Sequence, residues 1–221
     1  MDKQAFKTMV ENATPEELNW MAETIHNKTV QNQIDNVTHS DDGRLGIYVD
    51  GSYNSKTEEY AYGVAIMLDD VIFMRRAFPK SDASSMHNVA GEIEAAKVAI
   101  DFAVSHNIKA CCIYYDYEGI EKWATGQWKT NNPHTKAYKA YFEANKDKCD
   151  FLFEHVKGHT GVIQNEWCDA LAKSALGIPT PKKFDAIIKK SINTTPAKDD
   201  IPTEVDDPFD TDIPSDRDLP F

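Results

Sequence analysis

The chain has 221 residues, 41% of them hydrophobic, which is enough for one sizeable core with a small appendage. Its formal net charge of −12 excludes a uniformly basic coat for nucleic acid, though not a local basic groove beside an acidic tail. With no N-terminal apolar h-region and no long uncharged apolar run, neither secretion nor a membrane span is expected, and the reading is a cytoplasmic protein.

Residues 1–44 read as a helical N-terminal extension. Thr14-Pro15-Glu16-Glu17 is a capping box with proline at the first helical position, so a helix is expected to start there. Leu18, Met21 and Ile25 then share one face, and Phe6, Met9 and Val10 suggest a shorter helix before it.

Residues 45–178 alternate strands and helices. Leu45–Val49, Tyr60–Leu68 and Val71–Ala77 read as strands, with Asp69-Asp70 as the turn between the last two. From Gly91 to Val104, the residues Ile93, Ala96, Ile100, Ala103 and Val104 recur at helical spacing. A β-rich run, Ala110–Tyr115, ends on Asp116. Helices are expected around Ile120–Trp128 and Thr135–Lys146, a strand at Phe151–Val156 and a helix at Asn165–Ala175. The order βββαβααβα implies an α/β fold, a mixed sheet with helices on its faces. Cys111, Cys112, Cys149 and Cys168 lack zinc-site spacing and read as reduced thiols.

Beyond residue 179 Pro, Thr, Ser, Asp and Lys dominate, and apolar residues are too sparse to fold alone, so residues 179–221 read as a disordered acidic tail. From Asp199 to Phe221, eight Asp and one Glu face a single Arg, a net of −8.

Four carboxylates sit where acids are awkward. Asp50 closes the apolar strand "GIYVD", Glu92 opens a helix in "AGEIEA", Asp116 closes "CCIYYD", and Asp169 lies on an otherwise apolar helix face in "NEWCDALA". Each alone reads as a turn former or surface acid. Four in one α/β domain are a different matter, because converging carboxylates repel one another unless a cation neutralises them. Hard divalent ions with oxygen ligands do so, and Mg²⁺ is the usual one near phosphate.

The stretches "YVDGSYN", "AGEIEAAKVAI", "YYDYEGIEKW" and "HVKGHTGVIQNEWCDALAKSA", in that order, resemble the catalytic domain of type 1 (bacterial-type) ribonuclease H over about residues 45–176. The resemblance implies the ribonuclease H fold: a five-stranded mixed sheet, strand one central, flanked by helices. It also implies a Mg²⁺-dependent endoribonuclease, with Mn²⁺ as a substitute, that hydrolyses the RNA strand of RNA/DNA hybrids to 3′-hydroxyl and 5′-phosphate ends. Asp50, Glu92, Asp116 and Asp169 then match the family's metal ligands, for two ions about 3.5–4 Å apart. Glu94 lies on roughly the opposite side of its helix from Glu92, and Glu166 reads as surface or as support for Asp169. His159, between two glycines, matches the family's mobile imidazole near the leaving group.

For the substrate, Gly51 and Ser52 adjoin Asp50, and Asn88 matches a family position that reads the 2′-hydroxyls of RNA. Val89 stands where the family often has a second asparagine. Trp128 and Lys129 fall near where the family meets the DNA strand, while Trp123 reads equally as core. The larger basic protrusion of some relatives is missing, which implies salt-sensitive binding. Two rival readings are a non-catalytic hybrid-binding scaffold, which would lack a carboxylate, and another nuclease of the superfamily, which would lack the "GHTG…NEWCDALA" set.

The chain ends "DIPSDRDLPF", which resembles the C-terminal tip of bacterial single-stranded-DNA-binding proteins: an acidic run closed by Pro-Phe. That resemblance implies a docking peptide formed by Asp218, Leu219, Pro220 and Phe221, read by replication or repair proteins. A terminal Phe can fill an apolar pocket while its α-carboxylate pairs with a basic rim. Two other readings stand beside it: the tail folds back over the basic groove and restrains activity, or it only solubilises.

Overall fold

The computed structural model describes residues 43–158 and 161–193, together with residues 7, 13–18, 28 and 29. The expected helix start in the N-terminal extension is among them. Residues 15–18 are helical, the Thr14 Oγ1 accepts from the Glu17 amide (3.2 Å), and Glu17 Oε2 accepts from the Thr14 amide (2.8 Å). The rest of the N-terminal reading lies outside the described residues.

Strand β1 (Leu45–Asn54) buries Leu45, Ile47 and Val49. It runs five residues beyond the expected Val49 because β2 (Glu59–Ile66) pairs with it antiparallel as far as Asn54↔Glu59. β3 (Ile72–Phe78) pairs antiparallel with β2, after the expected bend at Asp69-Asp70. Helix α1 (Asn88–Ser105) buries the predicted Ile93, Ala96, Ile100 and Ala103, and β4 (Ala110–Tyr115) then pairs parallel with β1. Helix α2 (Gly119–Ala124) is shorter than expected: Gly126, at φ +78°, takes the chain out of it and leaves Trp128 in a loop. Helix α3 (Pro133–Glu143) starts two residues early, because Asn132 caps the His134 amide (2.8 Å) and Pro133 fits the first helical position. β5 (Asp150–His155) pairs parallel with β4, and α4 (Ile163–Ala175) follows.

The five strands form the expected mixed sheet, order β5-β4-β1-β2-β3, with β1 central. One face carries α1, α2 and α3 over the main core, where Ile47, Val64, Ile100 and Ile113 are fully buried; each such side chain contributes roughly 1.5–3 kcal/mol. The other face carries α4, whose Cys168 and Leu171 pack on Ala65 and Phe73.

The C-terminal region departs from expectation. Residues 179–193 do not begin a tail: a 3₁₀ turn (Lys182–Phe184), helix α5 (Asp185–Lys190) and a two-residue strand β6 (Ile192–Asn193) follow, and β6 adds a sixth strand parallel to β3. The segment is too apolar-poor to fold alone. Instead it uses Phe184, Ile187 and Ile188 to cover the domain already built. Register places Asp50, Gly63, Arg75 and Asn193 in one row across β1, β2, β3 and β6. Residues 194–221, including Asp218, Leu219, Pro220 and Phe221, lie outside the described residues.

Candidate metal centre

The sheet register builds the centre. β1 and β4 run parallel with Tyr48 opposite Tyr114, so two residues on, Asp50 comes level with Asp116 just past the end of β4. Helix α1 supplies Glu92 by crossing β1 at a glycine pair. A Cβ on Gly51 would sit 2.3 Å from the Glu92 amide nitrogen, and one on Gly91 would sit 2.2 Å from the Ala61 carbonyl oxygen. Only bare backbone on both sides allows this approach.

Asp50, Glu92 and Asp116 each bring a carboxylate oxygen within 4.8 Å of the others. Asp50 is 6% exposed and Glu92 1%. Asp50 Oδ1 accepts from the Gly51 amide at 2.7 Å. Burial and then the neighbouring Asp116 carboxylate push Asp50 from its ordinary 3.8 up to about 8. Burial, reinforced by Asp50 and Asp116, holds Glu92 well above the usual range. Glu92 Oε2 is buried with no hydrogen-bond partner. An orphaned carboxylate oxygen among two further carboxylates is a donor set that fits a hard divalent cation.

Asp116 is held from three sides. Asn165 Nδ2, at the start of α4, donates to its Oδ2 at 3.2 Å; His155 Nε2 donates to its carbonyl oxygen at 3.0 Å; and Gly158 lies so close that a Cβ there would meet Oδ2 at 2.6 Å. Asn165 is a residue that the sequence reading passed over, although it stands first in "NEWCDALA". Its Oδ1 is also buried and unpartnered.

Asp169 lies outside the group of three. On α4 it pairs with Lys173, one turn on, at 2.7 Å, and its charge contributes to raising Asp50. Glu166 pairs with Lys183 (2.7 Å) and Glu94 with Lys97 (3.0 Å), so neither joins the cluster. His159 falls outside the described residues, between Gly158 and Gly161, the latter at φ +90°.

Of the expected substrate contacts, Gly51 and Ser52 are buried beside Asp50, and Asn88 is exposed as the first residue of α1. Trp128 is 37% exposed, sits edge-on to the buried Trp123 with centroids 5.9 Å apart, and carries the Lys122 ammonium 4.9 Å over its ring. Lys129 beside it is exposed. The outward Trp128 face and Lys129 thus form an aromatic-basic surface on the loop after α2. The four cysteines are free and buried, and no helix among the described residues is long and apolar enough to cross a membrane.

Comparison with known proteins converges on one family. The family model for RNase H matches residues 42–177. A ribonuclease H of Cyanothece sp. is 27% identical over 141 residues, which cover 58% of this chain and 86% of that relative. Ribonuclease H1 of Homo sapiens is 36% identical over 98 residues, 39% of this chain, and the match spans only 34% of the human protein's length. Among solved structures, RNase H1 of the halophilic archaeon Halobacterium salinarum superposes with a TM-score of 0.51 at 24% identity, over 61% of this chain and 98% of that one. At that identity the likeness speaks for the fold. With the family model spanning more than half of the sequence and the acids Asp50, Glu92 and Asp116 gathered at the middle of the sheet, the chain belongs to the ribonuclease H family.

Proposed function

We propose that the chain is an endoribonuclease that hydrolyses the RNA strand of RNA/DNA hybrids at the Asp50–Glu92–Asp116 centre, leaving 3′-hydroxyl and 5′-phosphate ends. The observation that carries this reading is the trio of carboxylates, with Asp50 and Glu92 buried and one Glu92 oxygen orphaned. Mg²⁺, as a pair of ions with Mn²⁺ as a substitute, would be held by Asp50, Glu92, Asp116 and Asp169. Bound there, such ions lower the pKa of attacking water and neutralise charge on the leaving oxygen.

The chain's own residues do the rest. Asp50 is held by its strand and by the Gly51 amide, which fixes its carboxylate where a cation would be bound. Asn165 holds Asp116 in place against Gly158. His159, in its Gly-flanked loop, passes a proton to the leaving alkoxide. Gly51, Ser52 and Asn88 lie beside the acids where an RNA strand would present 2′-hydroxyls, and Trp128 with Lys129 takes the DNA strand by stacking and charge. Separately, and on sequence alone, "DIPSDRDLPF" docks the enzyme to proteins that read single-stranded-DNA-binding protein tips.

End-labelled RNA/DNA hybrid, duplex DNA and duplex RNA, each incubated with the protein and Mg²⁺, test the reading. Cleavage of the hybrid alone, abolished by EDTA, is the expected result. An uncut hybrid in both Mg²⁺ and Mn²⁺ would overturn it.

A further inference from the structure

The family match ends at residue 177, yet the chain continues to pack as far as Asn193. The added segment packs on two neighbouring elements: β6 pairs with β3, while Lys183 and α5 meet α4, the helix that carries Asp169. In the first turn of α4, Lys183 reaches Glu166 at 2.7 Å. In the middle, Ile187 and Ile188 join Trp167, Cys168 and Leu171 in one apolar cluster. In the last turn, Arg75 of β3 donates from Nη1 to Ser174 Oγ and from Nε to Ser191 Oγ, both at 2.9 Å, and so ties α4, the sheet and the extension together. Asp169 falls between these tethers, in an open cleft with Lys173 that Pro179, Pro181 and the buried Phe184 of the extension help to line.

The opposite side of α4 is equally constrained. A Cβ on Gly63 would meet the Cys168 carbonyl oxygen at 2.0 Å, so the helix backbone rests directly on β2. Around that contact Cys168 and Leu171 pack on Ala65 and Phe73, and the Cys168 thiol donates to the Tyr48 carbonyl oxygen at 3.3 Å, so the sheet holds the inner side of the helix. The extension adds contacts on the outer flank that resist rotation of the helix about its axis.

We infer that residues 178–193 act as a positioning brace: they fix the rotation of α4 and so hold Asp169 toward the Asp50–Glu92–Asp116 trio, which sets how tightly the centre holds its metal. This rests on the reading that Asp169 serves that centre. Phe184 shares a cleft with Asp169, whereas Ser191 does not line it, so Ser191 is the position that can be altered without touching the site.

The test uses the full chain and two variants, Phe184→Ala, which empties the brace's apolar anchor, and Ser191→Ala, which removes the hydrogen bonds of Ser191 Oγ with Arg75 and with the Ile188 carbonyl without opening the core. Mg²⁺ affinity is measured by calorimetry, and amide exchange is followed across α4. Supporting contacts around metal ligands typically change affinity by tenfold or more, so Phe184→Ala is expected to weaken Mg²⁺ binding about tenfold and to speed exchange in α4. Ser191→Ala is expected to act in the same direction by about threefold, in keeping with the loss of the Arg75 tether to the extension. The Mg²⁺ concentration for half-maximal hybrid cleavage should shift by the same factors, with kcat recovered at saturating Mg²⁺. Variants that melt lower yet bind Mg²⁺ with wild-type affinity would show a merely structural segment and overturn the brace. Should Phe184→Ala fail to fold, Ser191→Ala decides alone. Should the wild type cleave no hybrid, the proposed activity falls, while the calorimetric comparison still decides the brace.

Discussion

Replacing Asp50 by Asn should stabilise the metal-free protein while abolishing cleavage. Asp50 rises from 3.8 to about 8 in the fold, so the native state binds a proton that the unfolded chain has already released at neutral pH. The sign follows from linkage. The contribution is fully present below about pH 4 and is lost as pH rises through about 8, because ionising this buried group beside Asp116 costs the folded state. At pH 7 the loss spans about three pKa units, or about 4 kcal/mol at 1.36 kcal/mol per unit. Asn keeps the shape and escapes the charge. Its amide oxygen accepts more weakly from the Gly51 amide than a carboxylate does, at a cost of about 1 kcal/mol. A net gain of about 1–3 kcal/mol at pH 7 remains, which raises Tm by about 2–4 °C per kcal/mol in a chain of this size. Thermal melts of wild type and Asp50→Asn in EDTA at pH 4 and pH 8 check this, with a second pair in Mg²⁺. The gain should vanish at pH 4, and Mg²⁺ should raise the wild-type Tm but not that of the variant. A variant no more stable than wild type at pH 8, or a gain that persists at pH 4, would refute the picture of a charge-strained cluster.

Gly63→Ala should destabilise the protein by about 3 kcal/mol or more, because a Cβ 2.0 Å from the Cys168 carbonyl forces α4 off the sheet; a melt within a degree of wild type would contradict the close contact. His159→Ala should slow hybrid turnover by about 10²–10³-fold without eliminating it or shifting Mg²⁺ affinity, as loss of a proton-transfer group does; single-turnover rates read this. Truncation after Ile213 should abolish binding to a protein that reads single-stranded-DNA-binding protein tips and leave hybrid cleavage unchanged. A rise in cleavage would instead point to a tail that restrains the enzyme, and retained binding would refute docking.

Much of the catalytic domain is legible in the sequence because its signals are local. Runs such as Leu45–Val49 and Ala110–Tyr115 are β-branched or aromatic and end on acids, and the spacing of Ile93, Ala96, Ile100 and Ala103 is that of a helix face. The motif acids themselves could be named from such runs. What local pattern could not reveal is which acids meet. Asp50 and Asp116 converge because β1 and β4 pair in parallel at a particular register, and Glu92 joins them because Gly51 and Gly91 let two backbones cross. Asp169 stands apart on Lys173, an i,i+4 pair that was readable, but its distance from the trio was not.

Asn165 and the extension make the same point. Asn165 stood inside a quoted motif, yet its bond to Asp116 joins residues 49 apart in sequence. Residues 179–193 read as a tail because they hold too few apolar groups for a core of their own. Ile187 and Ile188 needed only a surface already formed by Phe73, Trp167 and Leu171, and Phe184 one beside Ala170 and Lys173. Composition and periodicity by themselves determined the strands, the helices and the acids, since those depend on neighbours along the chain. Only the tertiary structure decided which carboxylates meet and that residues 179–193 pack on the domain, because burial, register and close approach are properties of residues brought together from afar.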